Sequence, residues 1–163
     1  MLILSRRGAP VGALILAAAL AGCSGGSQYA PVKGKVTHKG QPLAGATVVF
    51  TPDSKDATAS TAPAITKEDG TYELQTNLPG GKTMSGAALG SYKVTVSKFV
   101  PPKGMSEAEF DRKVEAAGSG VYSDADRIQK VELVPPAYSS VRETKVTATV
   151  SAGAPTEVNV TIP

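Results

Sequence analysis

The sequence offers one thiol, Cys23, one imidazole, His38, and two close pairs of aspartates, Asp53 with Asp56 and Asp124 with Asp126. A nucleophilic triad needs a base oriented by a carboxylate and a nucleophile within hydrogen-bond reach. His38 falls at the end of a strand beside Lys39-Gly40, on the solvent side, and no serine sits in a nucleophile-elbow context. No catalytic residue is therefore expected. A single His and a single Cys exclude a multi-ligand His/Cys metal site and a disulfide framework. Ser123-Asp124-Ala125-Asp126, with Asp53 and Asp56, could lend oxygens to calcium, which takes about six to eight. The run lacks the continuation and terminal Glu of a calcium loop, so solvated loop carboxylates are expected, with no metal and no cofactor; Asp124 and Asp126 would be the first ligands to try. Tyr29, Phe99, Tyr122 and Tyr138 fall in loops or at element ends, where rings stack on sugars or insert into partners. With no Trp and no two of these close in sequence, packing at the edge of a core is the plainer expectation for each.

Cys23 has the most specific context. Arg6-Arg7 precede ten residues, 11–20, without a polar side chain. A membrane-spanning helix needs roughly 20 apolar residues, so this run has the length of a signal-peptide core. Leu20-Ala21-Gly22-Cys23 follows, and resembles the bacterial lipobox: a hydrophobic residue, two small ones that let a peptidase reach the backbone, then the cysteine that is acylated. Residues 1–22 read as a lipoprotein signal peptide, Cys23 as the lipidation site, and 23–30 as the lipidated cysteine with a flexible tether built around Ser24-Gly25-Gly26-Ser27. Each buried methylene contributes about 0.8 kcal/mol, and one acyl chain holds only marginally, so the several chains of a lipoprotein cysteine make a durable anchor. No strongly hydrophobic pair follows Arg6-Arg7 (Gly8-Ala9-Pro10 does), which favours general secretion over twin-arginine export. Ser24 after the cysteine resembles the outer-membrane sorting pattern. The expected location is the cell envelope, and glycosylation at the Asn159-Val160-Thr161 sequon is not expected there.

The rest of the chain, residues 31–163, must be the folded domain. Its dominant period is two: Val32, Gly34 and Val36 alternate with lysines and a threonine, as do Tyr72 with Leu74, Tyr92 with Val94 and Val96, Val146 through Val150, and Val158 through Ile162. Such alternation is that of half-buried antiparallel strands. Thr47-Val48-Val49-Phe50-Thr51 is more continuously apolar and reads as a central strand. Gly40-Gln41-Pro42, Asp69-Gly70, Pro79-Gly80-Gly81 and 152–155 supply turns, with Asp69-Gly70 expected to close a hairpin. The result is an all-β antiparallel β-sandwich of about seven strands. One segment departs from it. Ser106 and Glu109 form a capping box, Met105 and Phe110 a staple, and Gly118 ends the run, predicting a short helix over about 107–116. That helix lies in an insertion of about 101–130.

Val32-Lys33-Gly34-Lys35-Val36, Gly40-Gln41-Pro42 through Val48, Thr66 through Leu74 around Asp69-Gly70, and Gly90 through Val96 together resemble the carboxypeptidase regulatory-like domain, a transthyretin-like sandwich of about seven strands. The resemblance covers about residues 31–98. It implies that Pro42, Gly45, Asp69, Gly70, Tyr72 and Tyr92 are scaffold residues, and that the role is accessory or adhesive; it transfers no active site. Related enzymes on this sandwich need several His and Arg residues, or two His and two Tyr around iron, and this chain has one His.

Charge narrows the partners. Lys and Arg number 17 against 14 Asp and Glu, and removing Arg6 and Arg7 leaves 15 against 14. A nucleic-acid binder needs a concentrated basic face, and none is present, so nucleic acid is excluded as a partner. The expectation is a non-catalytic, lipid-anchored envelope protein that meets the membrane through its anchor and an envelope protein or polysaccharide through its domain. An accessory lipoprotein presenting substrate to a transporter or hydrolase is the alternative.

Overall fold

The computed structural model describes residues 28–53, 60–117 and 129–163. The expected signal peptide, Cys23 and most of the expected tether, together with Asp56, Tyr122, Asp124 and Asp126, lie outside these. The chain opens with β1 (Tyr29–Ala30), β2 (Val32–His38), β3 (Gln41–Pro42), β4 (Thr47–Pro52) and β5 (Ala62–Ile65). It continues through β6 (Thr71–Glu73), β7 (Gln75–Leu78), β8 (Lys82–Ser85), β9 (Ala87–Ala88) and β10 (Gly90–Ser97). The insertion holds α1 (Glu107–Ala117), and its stem is formed by β11 (Phe99–Val100) and β12 (Val131–Glu132). The last elements are α2 (Pro136–Ser139), β13 (Thr147–Val150), β14 (Thr156–Glu157) and β15 (Val160–Ile162).

Two main sheets carry the fold, as expected for an all-β sandwich. One has the order β13-β10-β4-β5 and is antiparallel throughout; in the other, β2 runs through the centre with β3 and β6 on one side and β14 and β15 on the other. Small ribbons, β1–β9, β7–β8 and β11–β12, close the margins. The alternation read from the sequence sets which side chains meet. Val48, Phe50, Tyr92, Val94 and Val96 from the first sheet and Val36, Tyr72, Leu74 and Ile162 from the second are all buried in one cluster. The rings of Phe50 and Tyr92 pack tilted, 5.9 Å apart. Burying each such side chain contributes about 1.5–3 kcal/mol, and with no Trp the core rests on many medium-sized groups.

Four details differ from the sequence reading. β14 and β15 pair with β2 in parallel, not antiparallel. A period of two is the same for either direction; here the chain leaves β13, crosses to the other sheet through 151–155, and starts again beside the beginning of β2. Asp69-Gly70 does make a tight turn, with Gly70 N–H on Lys67 O (2.9 Å) and Lys67 N–H on Thr71 O (2.8 Å), but its arms diverge, β5 to one sheet and β6 to the other. Asp69 Oδ1 accepts the Thr71 hydroxyl (2.6 Å) and amide (2.9 Å), which hold its carboxyl below the usual range. The folded part begins earlier than residue 31: Ala30 is buried and β1 pairs with β9. Finally, α2 packs against β10, and Thr95, on the side expected to meet solvent, is 6% exposed. The predicted helix forms, with Glu109 N–H on Ser106 Oγ at 3.2 Å as its cap.

Strand directions define two ends. Gln28 O accepts Leu89 N–H (2.9 Å), so the chain enters where β10 begins, beside Val150 and Pro155. β2 starts here, and the far end holds His38, the Asp69 turn, Lys98 and the insertion. The length of β10, eight residues, separates the ends by about 26 Å.

Candidate functional site

A groove lies on the outer face of the β2 sheet, and its shape follows from one glycine. Val32, Gly34 and Val36 point inward, so Lys33, Lys35 and Thr37 point out. Tyr72 lies across from Gly34. Because Gly34 has no Cβ, the Val158 carbonyl swings into that space, where a side chain would overlap it, and Tyr72 donates its phenol to it at 2.7 Å. Burial pushes the Tyr72 phenol up, so it stays protonated and donating. The turned peptide no longer faces Lys35, whose amide donates instead to Asn159 Oδ1 at 2.8 Å. Asn159 Nδ2 in turn donates to Glu157 Oε1 at 3.0 Å.

Outward residues form rungs across the sheet: Glu73 and Glu157 flank Lys33, Thr71 lies opposite Lys35, and Thr161 lies opposite Thr37. They line an open groove of about 490 Å³. Lys67 Nζ also reaches Glu73 at 3.3 Å, and the two threonine hydroxyls are 3.4 Å apart. The surface is balanced in charge and rich in donors and acceptors. It has the chemistry to hydrogen-bond an extended polar ligand.

The insertion is the second distinctive region. Glu132 lies at its returning stem. Burial opposes its charge, but the Ser97 hydroxyl and the amides of Lys98 (2.8 Å), Val134 (3.1 Å) and Leu133 outweigh that and hold the carboxyl below the usual range. Lys130 ties the same stem to α1, with Nζ 2.7 Å from Glu107 Oε2 and 5.1 Å from the centre of the Phe110 ring.

The residues singled out in the sequence do not converge. His38 ends β2, half-buried, with Gln41 and Ile162 beside it in the sheet. Asp53 follows β4 and faces Lys93 at 3.9 Å. Among the described residues no three His, Cys, Asp or Glu side chains gather as metal ligands. Tyr29 is in β1 at the entry end, Phe99 is 56% exposed in β11 at the far end, and Tyr138 in α2 packs against the core, so they form no common platform. Among the described residues no helix is long and apolar enough to cross a membrane. Sequence reasoning missed Glu132 and the Lys35–Asn159 bond. Both join residues more than 30 positions apart, and neither carries a local signature.

No protein-family model matches the chain, and no curated protein matches it. Among solved structures, a DUF3823 family protein from Parabacteroides merdae aligns with 82% of this chain at 15% identity and a TM-score of 0.38. The chain spans 45% of that protein's length.

Proposed function

We propose that the protein is a non-catalytic lipoprotein of the bacterial cell envelope, held to a membrane through acylated Cys23, whose β-sandwich of carboxypeptidase regulatory-like type serves as a binding or structural module. The observation that carries this reading is the register of Arg6-Arg7, the apolar run 11–20 and Leu20-Ala21-Gly22-Cys23. It is supported by the short stretch of sequence between that cysteine and β1 at Tyr29–Ala30. The polar, charge-balanced groove over β2 supports binding of a hydrogen-bonding polymer such as an envelope polysaccharide, and argues for no particular reaction.

Palmitate labelling of the full-length protein tests the anchor. The wild type takes up label and Cys23→Ser does not; labelling of Cys23→Ser sinks the assignment. Pull-down of envelope polymers by the detergent-solubilised protein tests the module. Saturable retention that Lys35→Ala and Thr161→Ala reduce supports the groove, whereas retention unchanged by both assigns binding to another surface.

A further inference from the structure

The two ends of the sandwich differ in charge, and this bears on how the domain sits. At the entry end Leu89 N–H bonds Gln28 O, Tyr29 pairs with Ala88, Gly90 pairs with Val150, and Thr156 N–H bonds Pro31 O at 2.9 Å. These links make one continuous surface of residues 28–31, 88–91 and 151–155. It contains no Asp, Glu, Lys, Arg or His. Pro31, Ala152, Ala154 and Pro155 are exposed, and so is Leu89, at 38%. An apolar hollow of about 420 Å³ lies between 29–31 and 152–155. Among the described residues the nearest charges border it: Asp53, whose N–H bonds Ser91 O at 3.0 Å and whose carboxylate faces Lys93, and Lys33 with Glu73 and Glu157. Segment 54–59, which leaves from Asp53, adds one Lys and one Asp in the sequence. The far end, by contrast, presents Lys39, Lys67, Glu68, Asp69 and Lys98 before the insertion is counted.

We propose that this uncharged surface is a foot that rests on the lipid surface, at headgroup depth, with the far end and its insertion turned away. The inference rests on the acylation of Cys23. Five residues, 24–28, then join the anchor to the foot, and fully extended they reach at most about 18 Å. The anchor therefore keeps the foot at a high effective concentration beside the bilayer. Weak interfacial contacts that could not hold a free protein suffice there. An uncharged surface of Ala, Pro, Leu and Tyr loses little on leaving bulk water for the interface, whereas the charged end would lose much. The occupant is a lipid surface and not a basic or acidic partner, because the foot has no charge with which to select one.

The absence of Trp allows a direct test. Full-length lipoprotein carrying Ala154→Trp, Ala152→Trp or Lys103→Trp is reconstituted into phosphatidylcholine vesicles that contain a headgroup nitroxide lipid. Emission from positions 154 and 152 shifts to the blue and is largely quenched, while emission from position 103 is not. The quenching is the same at low and high salt, because no ionic contact is involved. Equal quenching at both ends, or quenching at 154 and 152 that salt removes, overturns the foot while palmitate on Cys23 leaves the anchor standing. A protein without palmitate that fails to enter the vesicles sinks the anchor, and the foot with it. Two positions in the same turn guard against one variant failing to fold.

Discussion

The entry end of this sandwich and the insertion at its far end are joined by the same strands and secured by different forces. At the entry end the fit is between backbones: Gly86 N–H bonds Leu74 O at 2.7 Å, and Gly86 passes under the Ala30 carbonyl so closely that a Cβ would overlap it. The insertion is held by side chains, with a carboxylate gathering amides and a lysine bridging a carboxylate and a ring. Backbone fit has no tolerance but is indifferent to pH and salt. Side-chain clasps give way by degrees and respond to both. A domain that rests on one end and exposes the other gains from that division, because the insertion can vary without disturbing the entry.

The largest expected effect comes from placing the same substitution at each end. Gly86 and Gly104 both have left-handed backbone, with φ of 91° and 88°. Gly86→Ala adds a collision with Ala30 backbone, whereas a methyl at Gly104 meets nothing within 4 Å. Gly104→Ala is expected to cost about 1–2 kcal/mol for strain alone. Gly86→Ala is expected to exceed about 4 kcal/mol and to detach β1. Urea denaturation checks both, and similar losses would mean that the entry end yields more than its backbone fit implies.

Next comes Glu132→Gln, which removes the charge from a carboxylate serving several donors. About 1–3 kcal/mol should be lost, mostly from the insertion, read as faster hydrogen exchange at Lys98 and Leu133 with the Gly86 amide unchanged. The pH dependence has a definite sign. The folded carboxyl titrates below its unfolded value, so its contribution is complete above the ordinary carboxylate range and is lost as pH falls through that range to the folded value. The wild-type insertion should loosen on acidification, and Glu132→Gln should flatten that response without affecting the entry end.

Much of this contrast was visible in the chain as a string of residues. Alternation placed Val36, Tyr72, Tyr92 and Ile162 inside, and Ser106 with Glu109 announced the helix, because each of these signals is local and repeats a geometric period. Strand direction was not visible, since Val158 to Ile162 alternates identically whether parallel or antiparallel to β2. Nor was Glu132, whose donors include Ser97 and Lys98, brought beside it only when β11 and β12 pair. The groove was half legible: Lys33, Lys35 and Thr37 announce an outward face, but the turned Val158 peptide depends on Gly34 and Tyr72 meeting across two strands. Ser106→Ala tests the local kind of signal, with a loss of about 1 kcal/mol confined to α1 and read by hydrogen exchange there.

The smallest effect is the most discriminating. Lys130 makes two contacts that differ in their dependence on salt. Its bond to Glu107 is exposed, of a kind worth about 0–1 kcal/mol and weakened by ions. Its place over Phe110 contributes about 0.5–1 kcal/mol, and burying its stem on the ring adds packing that salt does not remove. Double-mutant cycles separate them: coupling between Lys130→Met and Glu107→Gln should fall in high salt, and coupling between Lys130→Met and Phe110→Leu should largely persist. If both couplings vanish together in salt, the ring is a bystander and the helix is held by charge alone. If neither is measurable, the far end is tied only through Glu132, and the contrast between the ends narrows to a single carboxylate.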